Sequence, residues 1–512
     1  MKISRYLLIF VCFVPLLIFR DFTPNNELKY LSIVDEAIRN HTVFTFYNHG
    51  TPYADKPPLY FWCIRFAKWL AGDHYMFLIG LFSLIPALLI LYIMDKWTAT
   101  YLPLPLRSSS QLMLITTGLF TGSAIVLRMD MLMCLFIVLS LYTFYKMYIG
   151  EKSPYDTIRL PAFIFLAILT KGPVGILVPF LSITLFLWYK KQIRTFGKYL
   201  GWKQWATLLF FFSLWLTGVY IEGGKEYLHN LIFHQTVHRA VNSFHHQEPF
   251  WYYMKTIWYA LAPWILFYVV LLFSGLKRRL LDNDLKRFFF IIIASTFISL
   301  SLFSSKLDIY LLPIYPFVTY LCFLFLPEVK GKSIRFSLFI PAFLLLFSFP
   351  AYFIVRRFID IPFSGNMLLT VTLILSISSL ICLLYLRKQR LLTAVDSLAT
   401  GILLSLFAGG LLITGSAPYI GWTQLSREAK AIATEREIQH FYFYRFRSGE
   451  NLDALLKQEI EPITLEEMKG LSGKQNFITF VKNKDLRNEE QLQHLITQKQ
   501  IYTVGNYSFI VF

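Results

Sequence analysis

Long apolar runs separated by short polar interruptions make up most of this chain, and the pattern changes only near its end. The first run, YLLIFVCFVPLLIF, follows the basic start MKISR and carries no charge. It lacks a small-residue cleavage site, so it reads as an uncleaved first span. By the roughly 20-residue length that a bilayer-crossing helix needs, about thirteen such segments precede Gly415. The expected fold is mainly α: a polytopic helical membrane protein over residues 1–416. After Ser416 the sequence takes on ordinary soluble character. HFYFYRF, NFITFVKN and YTVGNYSFIVF alternate like strands, with helix-like ENLDALLKQEI, TLEEMKGL and NEEQLQHLITQ between them. That alternation predicts a small α/β domain over 417–512.

The polar interruptions sort onto two faces. Short basic loops belong on the cytoplasmic side. The clearest are KKQIRTFGKYLGWK, GLKRRLLDNDLKR, EVKGKSIR and RKQR. With the N-terminus inside, all of these fall on the cytoplasmic face and the C-terminal domain lies outside. Arg356 and Arg357 fall on the wrong side of this scheme. The remaining charged interruptions share the outer face: ADKPP with Asp55 and Lys56, LRMD with Arg128 and Asp130, TKGP with Lys171, FHHQEPFWYY, and SSKLDIY with Lys306. Each charge alone suits a snorkelling anchor at a span end. Their convergence predicts a common polar site opening outward.

Between the first two spans lie about 55 residues, too many for a simple connection. Within this first outer loop (21–75), PNNELKYLSIVDEAIRN opens with Pro24 and an Asn cap, and Leu28, Leu31, Val34 and Ile38 recur at near-helical spacing. The spacing predicts an amphipathic helix, either resting in the headgroup layer or packed on the bundle. TFYNHGTPYADKPPLYFW follows. Gly50 and Pro52 turn the chain, and Pro57 and Pro58 stiffen an elbow that holds Asp55 and Lys56 at the mouth of the bundle.

Composition sharpens this picture. The chain has 512 residues, 56% hydrophobic and 18% aromatic. Only 16% are charged, against about a quarter in soluble proteins. The net charge of +18 matches loops facing anionic lipid. No basic helix or aromatic-basic repeat points to nucleic acid. The five cysteines lie in or beside apolar runs without metal-ligand spacing and read as small hydrophobes.

The outer loops together resemble a known family. Tyr53 to Trp62 follows the pattern Y-x-D/E-K-P-P-L-x-x-W, preceded by an acidic helix start. RMDMLMCLF, ILTKGPVGILVP, HHQEPFWYY with APW, and SSKLDIYLLPIYP follow in order. This series is similar to the aminoarabinose transferases that modify lipid A, which belong with the protein mannosyltransferases to the C-type superfamily of membrane glycosyltransferases. The match covers roughly residues 5 to 320 by motif. The resemblance implies an inverting transfer of a sugar from a polyprenyl-phosphate carrier to an acceptor. The acceptor would be lipid A or another envelope glycolipid, with protein as the alternative. It implies a multi-pass enzyme of the bacterial inner membrane, acting as a monomer, with its site facing the periplasm.

It also implies roles. The family's helix start carries an Asp-Glu pair, but here the aligned residues are Asn26 and Glu27. Asparagine cannot accept a proton, so the base falls to Glu27 or Asp130, with Asn26 orienting substrate, unless the protein is impaired. Asp130 also suits a helix N-cap. Asp55 and His246 match the positions of the family's metal ligands, with His245 able to substitute. A carboxylate and an imidazole suit a divalent ion such as Zn, Mn or Mg. Lys56, Lys171 and Lys306, with Arg128, would hold the donor phosphate, and Tyr310 would shape the turn beside Lys306. Two rival classes remain: a transporter or flippase, and a non-catalytic binder of polyprenyl-linked sugars. Transporters tend to carry ionisable groups at the bilayer midplane and repeated halves. Neither is evident here.

Overall fold

The computed structural model describes residues 2–232, 247–329, 331–359 and 363–512. Helices dominate, as the apolar runs predict. Among the described residues, seven helices are long and apolar enough to cross a membrane, or ten if each of three bent pairs is one span. Several apolar runs fold as shorter pieces instead: Leu104–Ile115, Gly118–Ile125 and the 16-residue Val174–Tyr189. At 1.5 Å per residue such a helix reaches only about 24 Å.

The bundle core is aromatic and aliphatic. Trp97 lies 5.0 Å from the ring of Phe289 and 5.9 Å from that of Phe317, both edge-on, the arrangement that ring quadrupoles favour. All five cysteines are free thiols, and three are buried. At one end of the bundle, three basic loops are tied together. Lys190 Nζ bonds Asp284 at 2.8 Å, Lys286 Nζ bonds Glu328 at 2.6 Å, and Arg278 donates to the Glu328 carbonyl at 3.1 Å. Helices Val174–Tyr189 and Asp284–Leu302 run from this end to the other, where the first loop and the C-terminal domain sit.

α1 (Lys2–Phe19) turns by 80° into the first loop. A wide helical turn at Pro24–Leu28 leads into α2 (Lys29–Arg39). The apolar face of α2 is covered by protein: Leu31, Ile33, Val34 and Ala37 are buried. Its core is continuous with Trp422, Leu425, Phe446 and Leu452 of the C-terminal domain. A hairpin of β1 (Tyr47–Asn48) and β2 (Thr51–Pro52) precedes the elbow. Pro58 then caps α3 (Leu59–Ala71), which Gly72 ends with a left-handed φ of 79°. α3 exposes Phe66, Trp69 and Leu70 in one patch near Arg65 and Lys68. In the first loop it is therefore α3, not α2, that leaves an apolar face uncovered by protein.

The C-terminal domain has the expected α/β character. After helix Thr423–Glu435 come β3 (His440–Phe443), β4 (Glu461–Pro462), β5 (Phe477–Lys482), β6 (Gln500–Val504) and β7 (Tyr507–Val511). The sheet order is β4-β3-β5-β7-β6. β3 runs parallel to β4 and β5, while β7 is antiparallel to both β5 and β6. Arg356 and Arg357 end helix Ser348–Phe358. The nearby Ser364 amide donates to Ser416 Oγ at 2.9 Å, so this end adjoins the point from which the C-terminal domain leaves the bundle. The basic pair does lie apart from the tied basic loops.

Candidate active site

A cavity of about 540 Å³ opens where the elbow meets the bundle. Its polar part is lined by Asp55, Lys56, Lys171, Ser305 and Tyr310. Its apolar part runs between helices Val174–Tyr189 and Trp202–His229, where Leu177, Phe212 and Leu216 form a greasy wall. A charged head joined to an apolar groove suits an anionic amphiphile rather than a small polar solute.

Helix geometry explains the position of the charges. Asp130 is the first residue of helix Asp130–Tyr148, and Lys171 is the last of helix Asp156–Lys171. Helix N-termini favour carboxylates and C-termini favour ammonium groups. The Asp130 carboxylate, 1% exposed, accepts from Lys171 Nζ and from Arg128 Nε at 3.2 Å. Asp130 stands at the first helical position, with Met129 as the cap residue. Lys171 Nζ also lies 4.5 Å from the centre of the Tyr310 ring. Arg128 and Lys56 are both close enough to act on the Lys171 charge. Lys56, Arg128 with Asp130, Lys171 and Tyr310, from four separate segments, therefore meet at one place.

Glu27 has a different setting. It is fully buried, and each of its oxygens accepts two hydrogen bonds. Arg20 grips it with two nitrogens at 2.7 and 2.8 Å. The amides of Thr23 and Leu127 donate at 2.7 and 2.8 Å. The carboxylate ties the end of α1 to the turn that carries Arg128. It has no room for an incoming hydroxyl, which corrects the expectation of a base there. Asn26, beside it, is exposed to solvent.

Lys306 is buried and donates to the Glu248 carbonyl at 2.7 Å. Burial lowers its pKa below the ordinary lysine value, with Glu248 opposing. Its neighbour Ser305, rather than Lys306, lines the cavity. His245 and His246 lie outside the described residues. Among the described residues no group of three or more His, Cys, Asp or Glu could hold a metal ion. Among the described residues, Asp55 is the one carboxylate that lines the cavity.

Several contributors were not singled out from sequence. Tyr30 of α2 is buried within electrostatic reach of Arg128, Asp55, Tyr310 and Glu27. Glu222 accepts from the amides of Val43, Phe44 and Thr45 at 2.7 to 2.9 Å. Tyr227 bonds the carbonyl of Tyr53 at 3.1 Å. Helix Trp202–His229 thus supplies the apolar wall and also grips the loop that carries the elbow. The visible signal was Glu222 itself, a lone carboxylate at the end of an apolar run.

No protein-family model matches the chain. A solved structure of ArnT from Cupriavidus metallidurans bound to undecaprenyl phosphate aligns with a TM-score of 0.78, covering 100% of this chain and 98% of that one at 15% identity. The fold is that of ArnT. In sequence, the chain is 25% identical over 318 residues to an uncharacterized protein of Aquifex aeolicus. It is 26% identical over 317 residues to an undecaprenyl phosphate-alpha-4-amino-4-deoxy-L-arabinose arabinosyl transferase of Wigglesworthia glossinidia brevipalpis. These matches span 60% and 53% of the two relatives' lengths. The ArnT fold extends over the whole chain, so the C-terminal domain belongs to it as much as the bundle does.

Proposed function

We propose that the chain is an inverting glycosyltransferase that takes its sugar from a polyprenyl-phosphate carrier. The observation that carries the reading is the cavity, with cations at one end and an apolar groove at the other. A polyprenyl phosphate has this same division of charge and grease. The ArnT fold adds weight, since the aligned ArnT structure is bound to undecaprenyl phosphate.

In this mechanism Lys56, Lys171 and Arg128 hold the phosphate of the donor. The acceptor oxygen attacks the anomeric carbon from the face opposite the phosphate. The carbon–oxygen bond to phosphate breaks, and its electron pair leaves with the phosphate. Cations placed where that charge develops stabilise the transition state. The acceptor proton passes to a carboxylate. Among the described carboxylates considered from sequence, Asp55 lines the cavity and takes that role. Asp130 fixes Lys171 and Arg128, and Tyr310 packs against Lys171. Were Asp55 instead to hold a divalent ion with His246 or His245, the ion would supply charge at the phosphate and the role of base would return to Asp130. The acceptor is an envelope glycolipid such as lipid A, reached from the outer leaflet of the inner membrane.

The test is chemical. Purified protein in lipid vesicles receives a labelled polyprenyl-phosphate sugar and extracted envelope lipids, and products are read by mass spectrometry. The reading predicts free polyprenyl phosphate together with a glycosylated lipid. A carrier that crosses the bilayer intact, with no bond broken, would make the protein a transporter.

A further inference from the structure

The hairpin before the elbow is held from two sides. His49 and Gly50 form its two-residue turn, with φ values of 53° and 74°. Two positive φ values in a two-residue hairpin loop define a tight turn that matches strand twist. Glycine adopts this readily, whereas a residue with a Cβ persists there only when its surroundings hold it. From below, the Glu36 carboxylate of α2 accepts the amides of His49 and Gly50 at 2.7 and 2.9 Å. From above comes the C-terminal domain. Asp453, 6% exposed, accepts Ser32 Oγ at 2.8 Å and meets His49 Nε2 at 3.2 Å through the same oxygen.

Three further contacts bind the same two bodies. Asp21, just past α1, accepts the amide of Thr423 at 3.0 Å and also its hydroxyl. Lys457 reaches Asp73 at 2.5 Å. Asn451 donates to the Pro24 carbonyl at 3.4 Å. Of all these ties, His49–Asp453 is the one that bears directly on the hairpin turn, six residues before Asp55. It is also one that changes charge near neutral pH.

We propose that Asp453 is a positioning residue of the C-terminal domain, and that through His49 it sets the elbow carrying Asp55 and Lys56 in a proton-dependent way. The charged groups facing His49 are Asp453 and Glu450 of the C-terminal domain and Glu36 of α2. All are acidic, so the protonated imidazole is favoured. The hydrogen bond to Asp453 raises the His49 pKa above its ordinary value of 6.5, outweighing burial. The sign follows. The charged tie is complete below pH 6.5 and is lost as pH rises through the raised value. The C-terminal domain, which carries no candidate catalytic residue, thereby acquires a role: it holds the active-site elbow most firmly under mildly acidic conditions.

The proposal rests on the transferase reading only for its activity arm. The structural arm is hydrogen exchange on the full-length protein in lipid nanodiscs, at pH 6 and pH 8, corrected for intrinsic rates. The hairpin amides of residues 47–53 are expected to be about fivefold better protected at pH 6, the scale of one partly exposed ion pair. His49→Asn keeps a residue tolerant of positive φ but cannot be protonated. It should flatten that difference, as should Asp453→Asn. In the activity arm, the apparent KM for the donor should rise about fivefold from pH 6 to pH 8 in the wild type and stay level in His49→Asn. A flat exchange profile in the wild type, or a His49→Asn profile that still titrates, overturns the proposal. Normal exchange behaviour in a protein that transfers no sugar would instead count against the transferase reading.

Discussion

Two carboxylates at the elbow end of this molecule look alike in sequence and serve opposite ends. Glu27 and Asp130 each stand beside an apolar span, and each is nearly inaccessible to solvent. Glu27 is saturated: two bonds from Arg20 and two from backbone amides use all its acceptor capacity. Asp130 instead orients cations whose remaining donors point elsewhere. Lys171 has three N–H donors, gives one to Asp130, and also lines the cavity. A knot that satisfies itself gives a scaffold. A cluster that leaves cationic capacity at a cavity wall gives a binding site. Burial alone does not separate the two; what does is whether the carboxylate's cationic partner also lines the cavity, as Lys171 does and Arg20 does not.

Substitutions can break or sharpen this contrast. The largest effect belongs to Lys171→Ala, which removes a phosphate cation and also strands Asp130. Transfer should fall by about 10²–10³-fold, the usual loss for one transition-state donor. Thermal stability should fall as well, because a buried carboxylate loses a partner. Next, Asp55→Asn should reduce turnover by about 10²-fold with little change in melting temperature, the pattern expected of a general base. Glu27→Gln should do the reverse. The amide turns an N–H toward the donors of Arg20, Thr23 or Leu127, at a cost of about 3 kcal/mol of stability. The fraction that remains folded should still turn over donor. The smallest effect is expected of Glu222→Gln, which weakens charge-assisted bonds to three amides by about 1–2 kcal/mol in all. It should raise the apparent KM for the donor before it lowers turnover, because the elbow loosens while the phosphate cations stay.

Much of this was legible along the chain. Apolar runs announced the helices, and the alternation after Ser416 announced the mixed sheet. Charges confined to one set of loops announced the cavity wall at Asp55, Lys56 and Lys171. What stayed hidden depended on contacts between distant segments. The fate of α2 turned on Trp422 and Leu452, some four hundred residues away, and its periodicity could not show what covers it. Glu27 was a base candidate because nothing in the sequence reveals that Arg20 and the Leu127 amide reach it. Helices such as Val174–Tyr189 are apolar yet shorter than a standard span, so hydropathy and helix length give different counts. His49 and Asp453 lie 404 positions apart in sequence numbering, and no local pattern connects them.

The most direct test of the central claim is equilibrium binding of labelled polyprenyl phosphate to the protein in nanodiscs, with no sugar and no chemistry. The account predicts saturable binding that weakens at least about tenfold in a Lys56→Ala, Lys171→Ala double variant, since each lost charge-assisted contact is worth a kcal/mol or more. Glu222→Gln should stay within about threefold of wild type. Equal affinity in the double variant and the wild type would mean that the phosphate is held elsewhere, and the cavity would lose its claim to be the donor site.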